Sequence, residues 1–185
     1  MDEQTPHAHD RDAAAPTGGA DERRALFVVR AGARLFAVDA EEVESTAENL
    51  TPAPLPFAPP AVLGVVSLRG RMRTALDPLR LAPEEETRPA AEGDEDTRDA
   101  ADAARHAQSP PRLFVALRGD EQLALACDSA AGTVEVAPSQ LAPPPPGAPA
   151  ALATFRHGDA SVTLLDASRL FEAAMRGTER RRRRS

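Results

Sequence analysis

Four histidines, two matched aspartates, one cysteine and a block of five arginines are the residues of this 185-residue chain whose types could do chemistry. His7 and His9 stand two apart in a polar tail, His106 lies in an acidic stretch and His157 in a turn. None keeps ligand spacing to a cysteine or carboxylate on a rigid element, so no metal is expected. The chain has no G-x-S-x-G elbow, phosphate-binding loop or dinucleotide glycine fingerprint. Asp77 and Asp166 resemble a pair of carboxylates for acid–base work. Each nevertheless stands where a side-chain oxygen would cap the free N–H groups of a short helix, and capping is the preferred reading. Cys127 follows Ala124-Leu125-Ala126 with no basic neighbour. That setting raises a thiol's pKa, so a buried structural role is expected. No enzyme and no cofactor is expected from these residues.

Arginines give two further leads. Arg180 to Arg184 could attach to phosphates by charge alone, so a nucleic-acid or anionic-surface binding protein is the alternative function. The run lacks stacking aromatics, and residues 82–110 carry nine acids against three arginines, an internal counter-charge. A solvated tail attracted to that acidic stretch is therefore preferred. Arg69 is different in kind. In Ser67-Leu68-Arg69-Gly70 it projects from a turn whose glycine supplies the positive φ that tight hairpins need. It reads either as a solubilising turn residue or as a point of partner contact.

The elements that must position these residues are short and mostly β. Leu26–Arg30 and Leu35–Val38 read as a hairpin about Ala31-Gly32-Ala33. Asp39 then caps a turn or two of helix from Ala40 through Val43 and Glu44. Pro52 to Pro60 give an extended connection without ladder donors. Leu63–Leu68 and Met72–Leu76 flank the Arg69-Gly70 turn, and Asp77-Pro78 opens a one-turn helix. The second half repeats this order: Leu113–Leu117, Leu123–Cys127, Val134–Val136, the prolines 143–146, Leu152–Phe155, Val162–Leu165 and an Asp166-capped helix to Met175. Thr74-x-Leu76-Asp77-x-x-Arg80-Leu81 recurs as Thr163-x-Leu165-Asp166-x-x-Arg169-Leu170. Residues 1–24 and 82–111 have the composition of disordered segments, and 177–185 form an arginine-rich tail. The folded parts are then 25–81 and 112–176. Neither buries much alone, so two small antiparallel β-barrels packed on each other are expected.

Composition narrows the class further. All 22 basic residues are arginine, Trp and Tyr are absent, and net charge is −7, carried by the tails and the linker. No run approaches the ~18 apolar residues of a membrane span. The N-terminal tail lacks an apolar signal region and the lone cysteine has no disulfide partner, so a cytoplasmic setting is expected.

Gly64-Val65-Val66-Ser67-Leu68-Arg69-Gly70 with Asp77 beyond it resembles the G-V-x-N-L-R-G…D motif of the CheW-like domain of bacterial chemosensory systems. Leu123 to Ser129 with Val134 and the later prolines is similar to the family's second-half motif, and Leu164-Leu165-Asp166 with Arg169-Leu170 to its closing strand and helix. The resemblance covers about 25–81 and 112–175. It implies two SH3-like β-barrel subdomains around a shared core, with short helices, in a non-catalytic adaptor. The partners it implies are the regulatory domain of a CheA-type histidine kinase and the cytoplasmic hairpin tips of chemoreceptors, in arrays at the inner membrane. Carried over, the contact residues are Val43, Ser67, Leu68, Arg69 and Gly70. Ser67 replaces the usual Asn, Thr74 the usual Pro, and Pro78 the usual Leu. With the acidic insert, these departures suit a specialised array governing gliding, pili or development.

Overall fold

The computed structural model describes residues 23–83 and 110–182, with side chains to Arg176. The first half contributes β1 (Arg24–Ala31), β2 (Arg34–Asp39), β3 (Val43–Glu48), β4 (Val62–Leu68), β5 (Arg71–Leu76) and α1 (Pro78–Leu81). The second contributes β6 (Leu113–Leu117), β7 (Leu123–Cys127), β8 (Ser129–Val136), β9 (Ala151–His157), β10 (Ala160–Leu165) and α2 (Leu170–Arg182). They form two five-stranded sheets, ordered β8-β1-β2-β10-β9 in barrel 1 and β3-β6-β7-β5-β4 in barrel 2. The fold is mainly β with few, short helices, as expected.

The repeat in the chain is a repeat in space, but the halves do not correspond to the sheets. Replacing β1–β5 by β6–β10, and the reverse, turns one strand order into the other. Barrel 1 therefore takes β8, β9 and β10 from the second half, while barrel 2 takes β3, β4 and β5 from the first. In each sheet the halves meet twice, at an antiparallel pair (β1 with β8, β3 with β6) and at a parallel pair (β2 with β10, β5 with β7), the parallel pairs standing in otherwise antiparallel sheets. Equivalent details recur on both sides. Ala53 bridges Val65 as Ala142 bridges Thr154, and the Asp77 and Asp166 N–H groups donate to Ala61 and Ala150, each at 2.9 Å.

Alternation decides which side chain enters which core. Leu26, Val28, Leu35 and Ala37 point into barrel 1 beside Phe155, Val162 and Leu164. Val66, Leu68, Ala75, Phe114, Ala116 and Ala124 line barrel 2. The intervening residues, among them Val29, Phe36, Val38, Leu113, Val115, Leu125 and Cys127, meet in a third cluster between the barrels, joined by Leu81 and Leu170 from the helices. Strands β6 and β7 are buried on both faces, which explains their unbroken apolar sequences. Each fully buried leucine contributes roughly 1.5–3 kcal/mol, so the joint between barrels is as much a core as either interior.

The aspartates cap as expected. Asp77 Oδ1 accepts from Leu79 N and Asp166 Oδ1 from Ser168 N, both at 3.0 Å. Pro78 occupies the first helical position after its cap. Asp39 caps only a 3-10 turn over Ala40–Glu42. The helix expected there stops short because Val43 already pairs with Leu117 in β3. Sheet pairing has overridden the helical composition of Ala40-Glu41-Glu42-Val43-Glu44. At the other end α2 runs on to Arg182, past the expected end at Met175. Most of the two segments read as disordered, and the arginine side chains expected to meet the acidic one, lie outside the described residues, although Arg24 already opens β1.

Candidate functional site

The Arg69-Gly70 turn joins two strands in tight register: Leu68 faces Arg71, Ser67 faces Met72 and Val66 faces Arg73. Both turn residues are left-handed, Arg69 at φ 49° and Gly70 at φ 79°. That pattern belongs to the two-residue turn whose twist matches its strands. It is unusual for arginine, which carries a Cβ into a region glycine enters freely. Nothing lies within 4 Å of where a Gly70 Cβ would be, so that end of the turn is open. Among the described residues the Arg69 guanidinium makes no hydrogen bond or ion pair.

Alternation divides the neighbours of the turn. Ser67 and Met72 lie side by side on the outer face, Met72 61% exposed. Leu68 points inward at 2% exposure, packed in barrel 2. Facing the interior, its apolar side chain anchors the turn beneath Arg69. Val43 is half-buried against the core between the barrels. It lies on a strand, where a helix was expected.

The link between Val43 and the turn is Glu44. Its carboxylate receives Arg73 Nη2 at 2.5 Å and lies 3.8 Å from Arg71 Nη1. Arg73 is only 1% exposed. Its Nη1 donates to the Leu117 carbonyl at 2.7 Å and more weakly to Leu123 at 3.4 Å, while Nε finds no hydrogen-bond partner. A guanidinium buried in this way relies on its counter-ion, since desolvation of an unpaired charge costs several kcal/mol. The hydrogen bond from Arg73 outweighs the opposing effect of burial and, with the charges of Arg73, Arg71 and Arg118 adding to it, holds the Glu44 carboxyl below the usual carboxylate range. The interior has room for the long side chain because alanines at 75, 116, 124 and 126 line it.

Barrel 1 shows what is special here. Thr74 pairs with Val65 and Thr163 with Thr154, so Arg73 stands where the other barrel has Val162. The equivalent mouth is closed by apolar side chains, whereas in barrel 2 a buried arginine and a surface glutamate lock β3 to β5 beneath the turn. Arg71, Met72, Arg73 and Glu44 were not singled out in the sequence. The alternation Arg71-x-Arg73 was a legible sign of one charged face, but its inward direction depends on register.

Other chemistry-bearing residues stay apart. His157 is exposed at the end of β9, and His7, His9 and His106 lie outside the described residues. Burial pushes the Cys127 thiol far up, with Asp128 and Asp77 adding to the effect, so its thiolate is suppressed. Among the described residues no three His, Cys, Asp or Glu side chains converge.

The structure is thus two sheet-exchanged β-barrels with an exposed hairpin turn at Arg69-Gly70. The CheW-like domain model matches residues 25–175, and the chain belongs to that family, whose members are non-catalytic scaffolding adaptors. Among solved structures it is similar to the scaffolding protein TtCheW from Thermoanaerobacter tengcongensis. The two are 15% identical with a TM-score of 0.59, over 81% of this chain and 93% of that one. No curated protein sequence matches the chain. Among the described residues no helix is long and apolar enough to cross a membrane.

Proposed function

We propose that this protein is a non-catalytic adaptor coupling the cytoplasmic hairpin tips of chemoreceptors to the regulatory domain of a CheA-type histidine kinase. It acts in the cytoplasm, at arrays on the inner membrane. The observation that carries this reading is the Arg69-Gly70 turn: a guanidinium without a partner among the described residues, on a left-handed backbone, fixed from below by Arg73 and Glu44. Arg69 offers a planar donor set to carboxylates or carbonyls, and Met72 beside Ser67 offers an adaptable apolar contact. Burial of Leu68 holds the hairpin end still, so the surface is organised before binding.

Family membership supports the adaptor class. The specialised array, governing gliding, pili or development, rests on Ser67, Thr74 and Pro78, which change the family motif beside the turn. Nothing described favours the nucleic-acid alternative, because the side chains of Arg180–Arg184 fall outside the described residues. The test is co-purification from the native host with identification of any retained histidine kinase. The adaptor reading expects such a kinase with the wild type and less of it with Arg69→Ala. A kinase-free eluate, or equal retention by both, would contradict it.

A further inference from the structure

Arg34 ties the start of β2 to the end of α1. Its guanidinium lies over the Phe36 ring, 4.8 Å from the centroid, and Nη1 donates to the Ala82 carbonyl. Leu79 packs at the same turn, where its Cδ1 would stand 3.6 Å from a Cβ on Gly32. Helix α1 thus ends against the β1–β2 turn. Pro83, one residue past the held carbonyl, is followed in the sequence by Glu84-Glu85-Glu86. The repeat sharpens the contrast. Thr163 lies opposite Phe36 as Thr74 lies opposite Leu123, so the second half has Glu121 where the first has Arg34. Each position is opposite in sign to the chain that follows its own half's helix: glutamates after α1, arginines 180–184 from the end of α2.

Where β2 and β10 begin lies a hollow of about 280 Å³, lined by Arg30, Arg34, Leu35, Ser161 and Thr163 and by no carboxylate. Thr163 is only 6% exposed. Neither its hydroxyl, nor that of Ser161, nor the Arg30 guanidinium has a hydrogen-bond partner among the described residues. The carboxylate placed at this turn, Asp128, accepts the Gly32 N–H at 2.7 Å and does not line the hollow. Guanidinium and hydroxyl donors gathered without an acceptor favour an incoming oxyanion, since charge-assisted hydrogen bonds are the strong ones.

We propose that this hollow is the seat of the chain's own acidic segment, taking a carboxylate from Glu84–Glu86 onto Arg30, Arg34 and the two hydroxyls. Charge complementarity and chain continuity both select this occupant. The glutamates begin two residues beyond the carbonyl that Arg34 holds, so closing the loop costs little entropy. A carboxylate also matches the planar fork of a guanidinium. The contact fastens the root of the acidic segment to barrel 1, on the barrel opposite the Arg69-Gly70 turn. Because Arg30 and Ser161 are exposed, salt screens it.

Digestion of the full native chain by a glutamate-specific endopeptidase, followed by mass spectrometry, tests this. Glu92 and Glu95 of the same segment serve as internal references. At low salt, cleavage after Glu84–Glu86 is expected to be slower than at the references. Arg30→Ala should speed it about threefold or more relative to them, the scale of one partly exposed ion pair. Ser161→Glu, which sets a carboxylate at the hollow, should do the same, and so should ~0.5 M sodium chloride. Both substitutions are at exposed positions, and thermal melts matched to wild type confirm that the fold is kept. Equal cleavage at all five glutamates in the wild type overturns the proposal. So does protection that survives salt and both substitutions, which would reflect mere closeness to the folded domain. A hollow that serves only a separate anion would give one of these two results.

Discussion

Arg69 and Arg73 are two arginines on one hairpin with opposite situations, and substitution should separate them. Arg69 is exposed, so Arg69→Ala is expected to shift stability by no more than ~0.5 kcal/mol while weakening assembly with the kinase. Arg73 is a buried cation in an alanine-lined interior. Removing one member of a buried ion pair costs roughly 3–5 kcal/mol where the other is left buried, and less where water reaches it. Glu44 keeps 30% side-chain exposure, so Arg73→Met should lower resistance to urea by less than that. It should also bind partners less well, because Glu44 loses the hydrogen bond that orders the mouth. A loss of that full size would show that the pair holds the fold and has no special tie to the turn. Cys127, with its thiol pushed up by burial, should react with thiol reagents only as fast as the domain opens, and denaturant should accelerate the reaction.

At the scale of elements, the connection between β3 and β4 depends on Gly64. A Cβ there would fall 2.2 Å from the Ala53 carbonyl oxygen, with φ at +141°. Backbone cannot yield as a flexible side chain can, so Gly64→Ala should lower stability by roughly 2–4 kcal/mol. Protease sensitivity confined to residues 52–60 would show that the proline connection lifts from β4. The hairpins, caps and proline connections were legible because each depends on local chemistry: turn glycines, an aspartate before a helix, residues that cannot donate. Strand β3 was not. Ala40 to Glu44 reads locally as a helix, and only pairing with Leu117, far along the chain, makes it a strand. The inward direction of Leu68 was hidden for a related reason, since the face of β4 that it occupies is set by cross-strand register. Arg73 was missed because a buried charge is intelligible only with Glu44 and the carbonyls that receive it.

For the whole molecule, strand exchange between the halves predicts mutual dependence. Fragments 23–83 and 110–182, produced separately, should each lack cooperative unfolding, since each would leave two incomplete sheets. Mixed, they should recover one cooperative transition. A cooperative transition in either fragment alone would mean the repeat is also a folding unit. Acid should act through identifiable groups. Burial would raise the Asp39 carboxyl, but the hydrogen bonds from Arg24 and the Glu41 N–H, with the charge of Arg24, outweigh it and leave it lowered, as Glu44 is. Their stabilisation is present above the ordinary carboxylate pKa of ~4 and is lost as pH falls through the lower folded values. Glu42 runs the other way: burial, then the charges of Asp39 and Asp166, raise its pKa. Its protonation relieves a penalty first, so melting temperature should hold or rise slightly before it drops. Glu44→Gln should flatten the acid limb.

The central claim is that the Arg69-Gly70 turn is the contact through which this scaffold engages a histidine kinase. The most direct measurement is a binding titration of the CheA-type kinase from the same host against wild type and Arg69→Ala, with thermal melts of both. The account predicts matched melting temperatures and an affinity loss of about tenfold or more, the scale of a single anchoring residue. Equal affinity in two equally stable proteins would contradict it.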